Sequence, residues 1–182
     1  VDFQAKSRDS MRTVNDFNAA KAFGITIVQI QRAGGEYVNV IKAGTRIHEG
    51  DIITAVGSDY RINAYLMMLE QNDYEIIKST GVETLAEHIY TQIFNGVEPE
   101  NRLVCVEIPV TKKMSFYKKP IRDNRFREKY KGSIIGVERN HLPILNPSPS
   151  FILSEGEIIW AIGTQIMVDE IMRVKLITEE HI

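Results

Sequence analysis

The chain has 182 residues, 43 % of them hydrophobic and 25 % charged, with a formal net charge of −2 at pH 7. That is the composition of a soluble globular protein with room for two small domains, and its balanced charge excludes a general affinity for nucleic acid. A single cysteine, Cys105, excludes an intramolecular disulfide, and no apolar run approaches the ~18 residues of a membrane-spanning helix.

Residues 1–6 (VDFQAK) alternate enough to predict a first strand. Asp9-Ser10 or Asn15-Asp16 would cap a helix carrying Phe17, Ala20 and Phe23, because a side-chain oxygen before the first turn satisfies its free amides, and Gly24 would end it. Ala33-Gly34-Gly35 predicts a tight hairpin between strands at 25–32 and 36–40; Gly44 and Gly50 mark turns before a closing strand at 52–56. Residues 58–69 suit a helix with Ile62, Tyr65, Leu66 and Leu69 on one face. Residues 83–94 (ETLAEHIYTQIF) give a second amphipathic pattern, with Leu85, Ile89 and Ile93 four apart, stopped by Asn95-Gly96 and Pro99.

A strand follows at 103–110, in which the apolar neighbours of Cys105 (LVCVEI) predict a buried thiol. A helix is expected at 123–129, strands at 133–139, 143–146 and 158–162, and a helix at 164–172 with Ile166, Met167 and Ile171 on its apolar side. Residues 173–177 read as a further strand or an ordered tail. Asn146-Pro147-Ser148-Pro149 cannot continue a central strand, since neither proline has an amide hydrogen for a ladder. Trp160 reads as a core or interface anchor, and Phe126 and Tyr130 as helix-face packing residues.

An internal repeat organises these elements. FGITIVQIQR, ending at Arg32, lies over YKGSIIGVER, ending at Arg139, at a constant offset of 107; HEGDIITAVG, ending at Gly57, lies over SEGEIIWAIG, ending at Gly163, at 106. The same offset of 107 pairs Asp16 with Asp123, Val14 with Ile121, and residues 1–6 with 108–113. Each copy reads strand, loop, helix, three strands, helix. At about 70 residues a copy buries little of its surface, so the two are expected to share a core or an interface. The fold class is α+β: two small β-α-β-β-β-α domains, at 1–70 and 103–182, each a mainly antiparallel sheet with helices, joined by a helical linker at 71–102.

The paired signatures, GITIVQIQR with EGDIITAVG and GSIIGVER with EGEIIWAIG, resemble the TrkA-C or RCK-C domain, the C-terminal domain of regulators of potassium conductance. The second copy is the better match and is similar to the tail of Kef-like bacterial cation:proton antiporters. It departs from the family in carrying Gly156-Glu157 where Gly-Asp is usual, and the first copy has Asn39-Val40-Ile41-Lys42 in place of the Pro-rich turn. The resemblance implies a non-enzymatic regulatory pair on the cytoplasmic face of the bacterial inner membrane, attached to a membrane-embedded transporter part of the same protein, most simply a sodium or potassium:proton antiporter. A potassium channel or uptake system, an amino-acid exchanger, or a free-standing sensor are the alternatives. It also implies a homodimer and a ligand such as a cation or a cyclic dinucleotide. Carried over residue by residue, the cyclic-dinucleotide site of some members falls on Arg122, Asp123, Arg127, Ile134, Arg139 and Asn146.

Other chemistry finds little support in the residues. The histidines 48, 88, 141 and 181 show no metal-ligand spacing, nothing forms a nucleophile elbow, and Gly34-Gly35 sits between two strands rather than before a helix. No dinucleotide fingerprint is visible, so no cofactor is expected and the NAD-binding half found with this family lies outside the chain. Lys112, Lys113, Lys118, Lys119, Arg122, Arg125 and Arg127 read as a solvated face or as a surface for anionic lipid or a charged ligand. Arg32 and Arg139, equivalent in the two copies, read as strand-end residues in surface ion pairs or as partners for an anion. With no signal peptide visible and Val1 falling inside a strand pattern, the chain is expected to be a soluble piece of a longer protein.

Overall fold

A computed structural model describes residues 1–5, 12–16, 22–71, 75–76 and 84–179. These divide into two compact units, residues 1–91 and 92–182. The helix expected around Phe17 and Ala20 lies outside the described residues.

The first unit holds strands β1 (Asp2–Gln4), β2 (Thr26–Gln31), β3 (Tyr37–Val38) and β4 (Ile52–Val56), helix α1 (Asp59–Gln71) and strand β5 (Glu75–Ile76). Its sheet runs β3-β2-β4-β1-β5, and every pairing is antiparallel. One face carries the core: Phe3, Ile27, Ile30, Ile53 and Ala55 from the strands meet Ile62 and Tyr65 of α1. Tyr65 is the centre of this packing, with Phe3 edge-on at 5.7 Å and Phe23 tilted at 5.3 Å between ring centroids. Fully burying side chains of this size stabilises by about 1.5–3 kcal/mol each before chain entropy is counted.

Helix α2 (Leu85–Phe94) contains the division between the units. Thr84 and Glu87 form its capping box: the Thr84 N–H and hydroxyl donate to Glu87 Oε2 at 2.8 and 2.7 Å, and the Glu87 N–H returns to Thr84 Oγ at 3.2 Å. Its buried positions are His88 and Gln92, while Ile93 is 48 % exposed, so the face drawn through Leu85, Ile89 and Ile93 is turned from the one the fold uses. Two polar partners decide this: His88 Nδ1 lies 4.0 Å from Asp2, and Gln92 Oε1 accepts the Leu103 N–H at 2.8 Å.

The second unit holds β6 (Val104–Pro109), a 3-10 turn (Ile121–Asn124), α3 (Phe126–Tyr130), β7 (Ser133–Arg139), β8 (Leu142–Leu145), β9 (Ile158–Gly163) and α4 (Gln165–Glu179). Its sheet runs β6-β9-β7-β8, again antiparallel throughout. Ile108, Val137, Ile159 and Ala161 form the core with Phe126, Tyr130 and Met167.

Strand for strand, β8-β7-β9-β6 repeats β3-β2-β4-β1. The β2–β4 ladder shifts register between Ile27 and Gln29 and the β7–β9 ladder between Ile134 and Gly136, at equivalent places. Isolated bridges Thr13–Arg46 and Pro120–Ile152 also correspond. The α+β class of antiparallel sheets with helices therefore stands.

Several local expectations are corrected. Phe3 faces Ile53 and Ile108 faces Ile159, so the first strands of the copies correspond at an offset of 105, not 107. A slip of two preserves which side chains face the core, so the sequence pattern is blind to it. The helix expected at 123–129 is broken by Arg125, whose φ of 47° is left-handed, into a 3-10 turn and one α-helical turn. Residues 173–177 continue α4, and Ile166 is 49 % exposed whereas Met167 is buried. Cys105 is exposed, because β6 is an edge strand whose residues 104, 106 and 108 take the core face and leave 105 and 107 outside. Glu75–Ile76 adds a fifth strand where no strand was expected.

Candidate functional site

The two signatures meet in each unit at an arginine–carboxylate pair. In the first, Arg32 follows directly on β2 and its Nη1 holds Asp51 Oδ2, which also accepts the His48 N–H at 2.8 Å. In the second, Arg139 ends β7 and its Nε holds Glu157 Oε1, while Glu157 Oε2 accepts the Ser154 N–H at 2.9 Å. Each guanidinium has a second acceptor, Arg32 on the Arg46 carbonyl and Arg139 on the Ile152 carbonyl, both at 3.0 Å. Gly50 and Gly156, at φ of 80° and 83°, make the turn that delivers the carboxylate, a backbone shape that only glycine adopts without strain. Their N–H groups donate to Ala5 and Val110 at 2.9 and 3.1 Å, closing the turn on the first strand of each copy. The pair thus ties together three segments distant in sequence. Glu157 does with one more methylene what Asp51 does in the first copy.

The Arg139 guanidinium also lies 4.3 Å from the centre of the Phe151 ring, a cation–π contact that no sequence pattern announces. With the carboxylate, the carbonyl and the ring around it, Arg139 is engaged on several sides. The buried partner carboxylates make these pairs part of the scaffold rather than the loose surface contacts expected of strand-end arginines.

The remaining candidate residues fall in two groups. Arg122 and Asp123 are exposed on the 3-10 turn, with Arg122 Nε 3.7 Å from Asp123 Oδ1. The Arg122 N–H donates to the Pro149 carbonyl at 2.9 Å, which fastens this turn to the Pro-rich segment that Asn146 begins. Asn146 itself has a left-handed φ of 47° and donates its N–H to the Ile135 carbonyl at 2.8 Å, beside Ile134. Arg122, Asp123 and the Asn146–Pro149 segment therefore share one edge. Arg127 lies elsewhere: its Nε donates to Ser133 Oγ at 3.1 Å, and burial lowers its pKa from the usual guanidinium value. Six residues of β7, roughly 20 Å, separate Ser133 from Arg139. Arg127 and Arg139 of one chain therefore do not reach the same small ligand.

Two further features were not legible. The side-chain amide of Asn124, 4 % exposed, has no hydrogen-bond partner among the described residues. In the first unit a cavity of about 120 Å³ is bordered by Thr54, Val56, Asp59, Thr84 and His88. It is well below the ~300–1,000 Å³ of pockets for drug-sized molecules. Among the described residues no group of three or more His, Cys, Asp or Glu is placed to hold a metal, and no helix is long and apolar enough to cross a membrane.

Comparison with known families matches residues 105–175 to the TrkA-C domain. The second unit carries a TrkA-C domain. That match begins in β6 and ends in α4, and so takes in the Arg139–Glu157 pair and the edge formed by Arg122, Asp123 and Asn146. A search of curated proteins returned no match. Among solved structures, the chain is similar to the RCK_C domain dimer of S. agalactiae BusR in complex with c-di-AMP, at 20 % identity, over 41 % of this chain and 88 % of that one, with a TM-score of 0.35. It is similar to the RCK C domain of KtrA in complex with c-di-AMP, at 24 % identity, over 46 % and 96 %, with a TM-score of 0.36. To the GsuK RCK domain it is 10 % identical over 92 % of this chain and 60 % of that one, with a TM-score of 0.36.

Proposed function

We propose that this chain is a non-enzymatic regulatory module of a bacterial monovalent cation transport system, a sodium or potassium:proton antiporter, in which a TrkA-C domain at 103–182 follows a worn second copy at 1–70 across a linker at 71–102. The observation that carries this reading is the TrkA-C match over 105–175. Support for the tandem comes from the first unit, which repeats the strand order, the register shift and the Arg–carboxylate pair of the second. The module acts on the cytoplasmic side of the membrane, joined to the transporter part of the same protein.

In this reading the module works as a homodimer whose arrangement changes when a cyclic dinucleotide or a cation binds. A ligand biases such a change only through unequal affinity for the two arrangements. The edge with Arg122, Asp123 and Asn146 offers what a phosphodiester needs: a guanidinium fork for an anionic oxygen, and amide and carboxylate groups for base and sugar edges. Arg127 and Arg139, at the far ends of β7, contribute by holding that edge in shape.

Calorimetry with cyclic di-AMP tests the ligand. Binding heat in the parent chain that disappears in Arg122→Ala, with the melting temperature unchanged, is the expected result. No heat at high ligand concentration removes the cyclic dinucleotide from the proposal and leaves the cation.

A further inference from the structure

The homodimer proposed above leaves open which surface joins the copies, and the second sheet has two edges, β6 and β8. In the first unit the strand equivalent to β6 is covered by β5; among the described residues nothing covers β6. Strand alternation decides which of its backbone groups face outward. The Val110 N–H donates toward β9, to the Glu157 carbonyl at 2.8 Å, so residues 108, 106 and 104 also point to β9. Residues 103, 105, 107 and 109 then point away from it.

Two of those four positions are already closed. The Leu103 N–H is taken by Gln92 Oε1, and Pro109 has no N–H to offer. What remains is the N–H and C=O of Cys105 and of Glu107, four groups in a row on an exposed edge. The opposite edge is poorer. The Asn146 N–H points inward to Ile135, which puts Leu145 and Pro143 outward, and Pro143 again lacks a donor.

We infer that β6 pairs antiparallel with β6 of a second copy of this chain, in the register that sets Val106 against the partner's Val106 on the two-fold axis. In that register Cys105 faces the partner's Glu107 and Glu107 faces the partner's Cys105, and all four open groups on each strand find a partner. Moving the axis to Cys105 sets Glu107 against the partner's Leu103, whose N–H is in use. Moving it to Glu107 sets like charges opposite each other and places Cys105 against a proline. The edge is therefore self-complementary in one register. The core-facing side continues across the seam through Val104 and Val106, which are only half-buried in a single chain.

Cross-linking reads the register directly. Residues on the axis form a non-hydrogen-bonded pair with Cα atoms about 4.5 Å apart, within the span of a disulfide, whereas Cys105 and the partner's Cys105 are diagonal neighbours at about 7–8 Å, beyond it. The chain carrying Cys105→Ser and Val106→Cys is expected to form a disulfide-linked dimer under mild oxidation, and the parent chain is not. Glu107→Pro removes a donor that the β6–β9 ladder does not use; it is expected to convert the dimer to monomer, seen by light scattering, without lowering the melting temperature by more than a few degrees. A dimer that survives Glu107→Pro and resists cross-linking at 106, or a parent chain that cross-links through Cys105, overturns the inference while leaving the homodimer intact. A parent chain that is monomeric at every concentration overturns both.

Discussion

Arg32 holds Asp51 in a drier setting than Arg139 holds Glu157: the side chains are 19 % and 1 % exposed in the first pair, and 41 % and 6 % in the second. The repeat is thus chemically alike in its two copies but not energetically equal. Removing the arginine strands a buried carboxylate, which costs far more than the net strength of the pair itself. Arg32→Ala is expected to destabilise the first unit by about 3 kcal/mol, and Arg139→Ala the second by about 1–2 kcal/mol, because solvent reaches Arg139. Hydrogen exchange resolved by segment measures each unit separately. Equal losses in the two units would contradict the difference in burial.

Gly136 and Trp160 pack so closely that a Cβ at 136 would lie 2.9 Å from Cε3 of the indole. Gly136→Ala therefore forces the ring or the β7–β9 ladder to move, at a cost of about 1–3 kcal/mol. Since Trp160 is the only tryptophan, its emission spectrum reports the shift directly. Gly34→Ala, which meets nothing within 4 Å, serves as the control and is expected to leave stability within about 0.5 kcal/mol.

The pH dependence has a defined sign at two exposed carboxylates. Hydrogen bonds from the Thr13 backbone and hydroxyl lower the pKa of Asp16 from 3.8, and those from Thr84 lower that of Glu87 from 4.5. Each group binds a proton less readily in the folded chain than in the unfolded one. Its stabilisation is fully present above the unfolded value and is lost as pH falls through the lowered folded value. Stability is expected to fall on acidification below about pH 4.5, and Thr84→Ala to flatten the Glu87 part of that fall. The same substitution removes the capping box of α2 at a cost of about 1 kcal/mol at neutral pH. Thermal unfolding from pH 3 to pH 7 checks both; an unchanged acid slope in Thr84→Ala would contradict the role given to the cap.

The frame of both sheets was legible because it rests on patterns that strands cannot hide: β-branched runs, glycine turns and a repeat at nearly constant offset. The Gly50 and Gly156 turns and the equivalence of Arg32 with Arg139 were visible in the sequence for that reason. What the arginines hold was not, because their carboxylates lie 19 and 18 residues away and spacing alone does not bring them together. Cys105 was misplaced because an apolar neighbourhood does not distinguish a central strand from an edge strand. The face of α2 was misread because His88 and Gln92 are buried through polar contacts, which hydrophobic periodicity does not register. Arg125 breaks a helix through its own left-handed φ, and nothing in its residue type announces that. Of the candidate site, sequence placed Arg122, Asp123 and Asn146, but it could not separate them from Arg127 and Arg139 at the ends of β7.

The most direct measurement is the thermal unfolding of the chain against cyclic di-AMP, ATP, NAD, K⁺, Na⁺ and Ca²⁺. A ligand held at a hundred times its dissociation constant adds ~2.7 kcal/mol, a readable shift. A regulatory module is expected to respond to one of these compounds, cyclic di-AMP or a cation, with a raised melting temperature that Arg122→Ala abolishes only for the anionic ligand. A chain whose melting temperature is moved by none of them would contradict the sensing role.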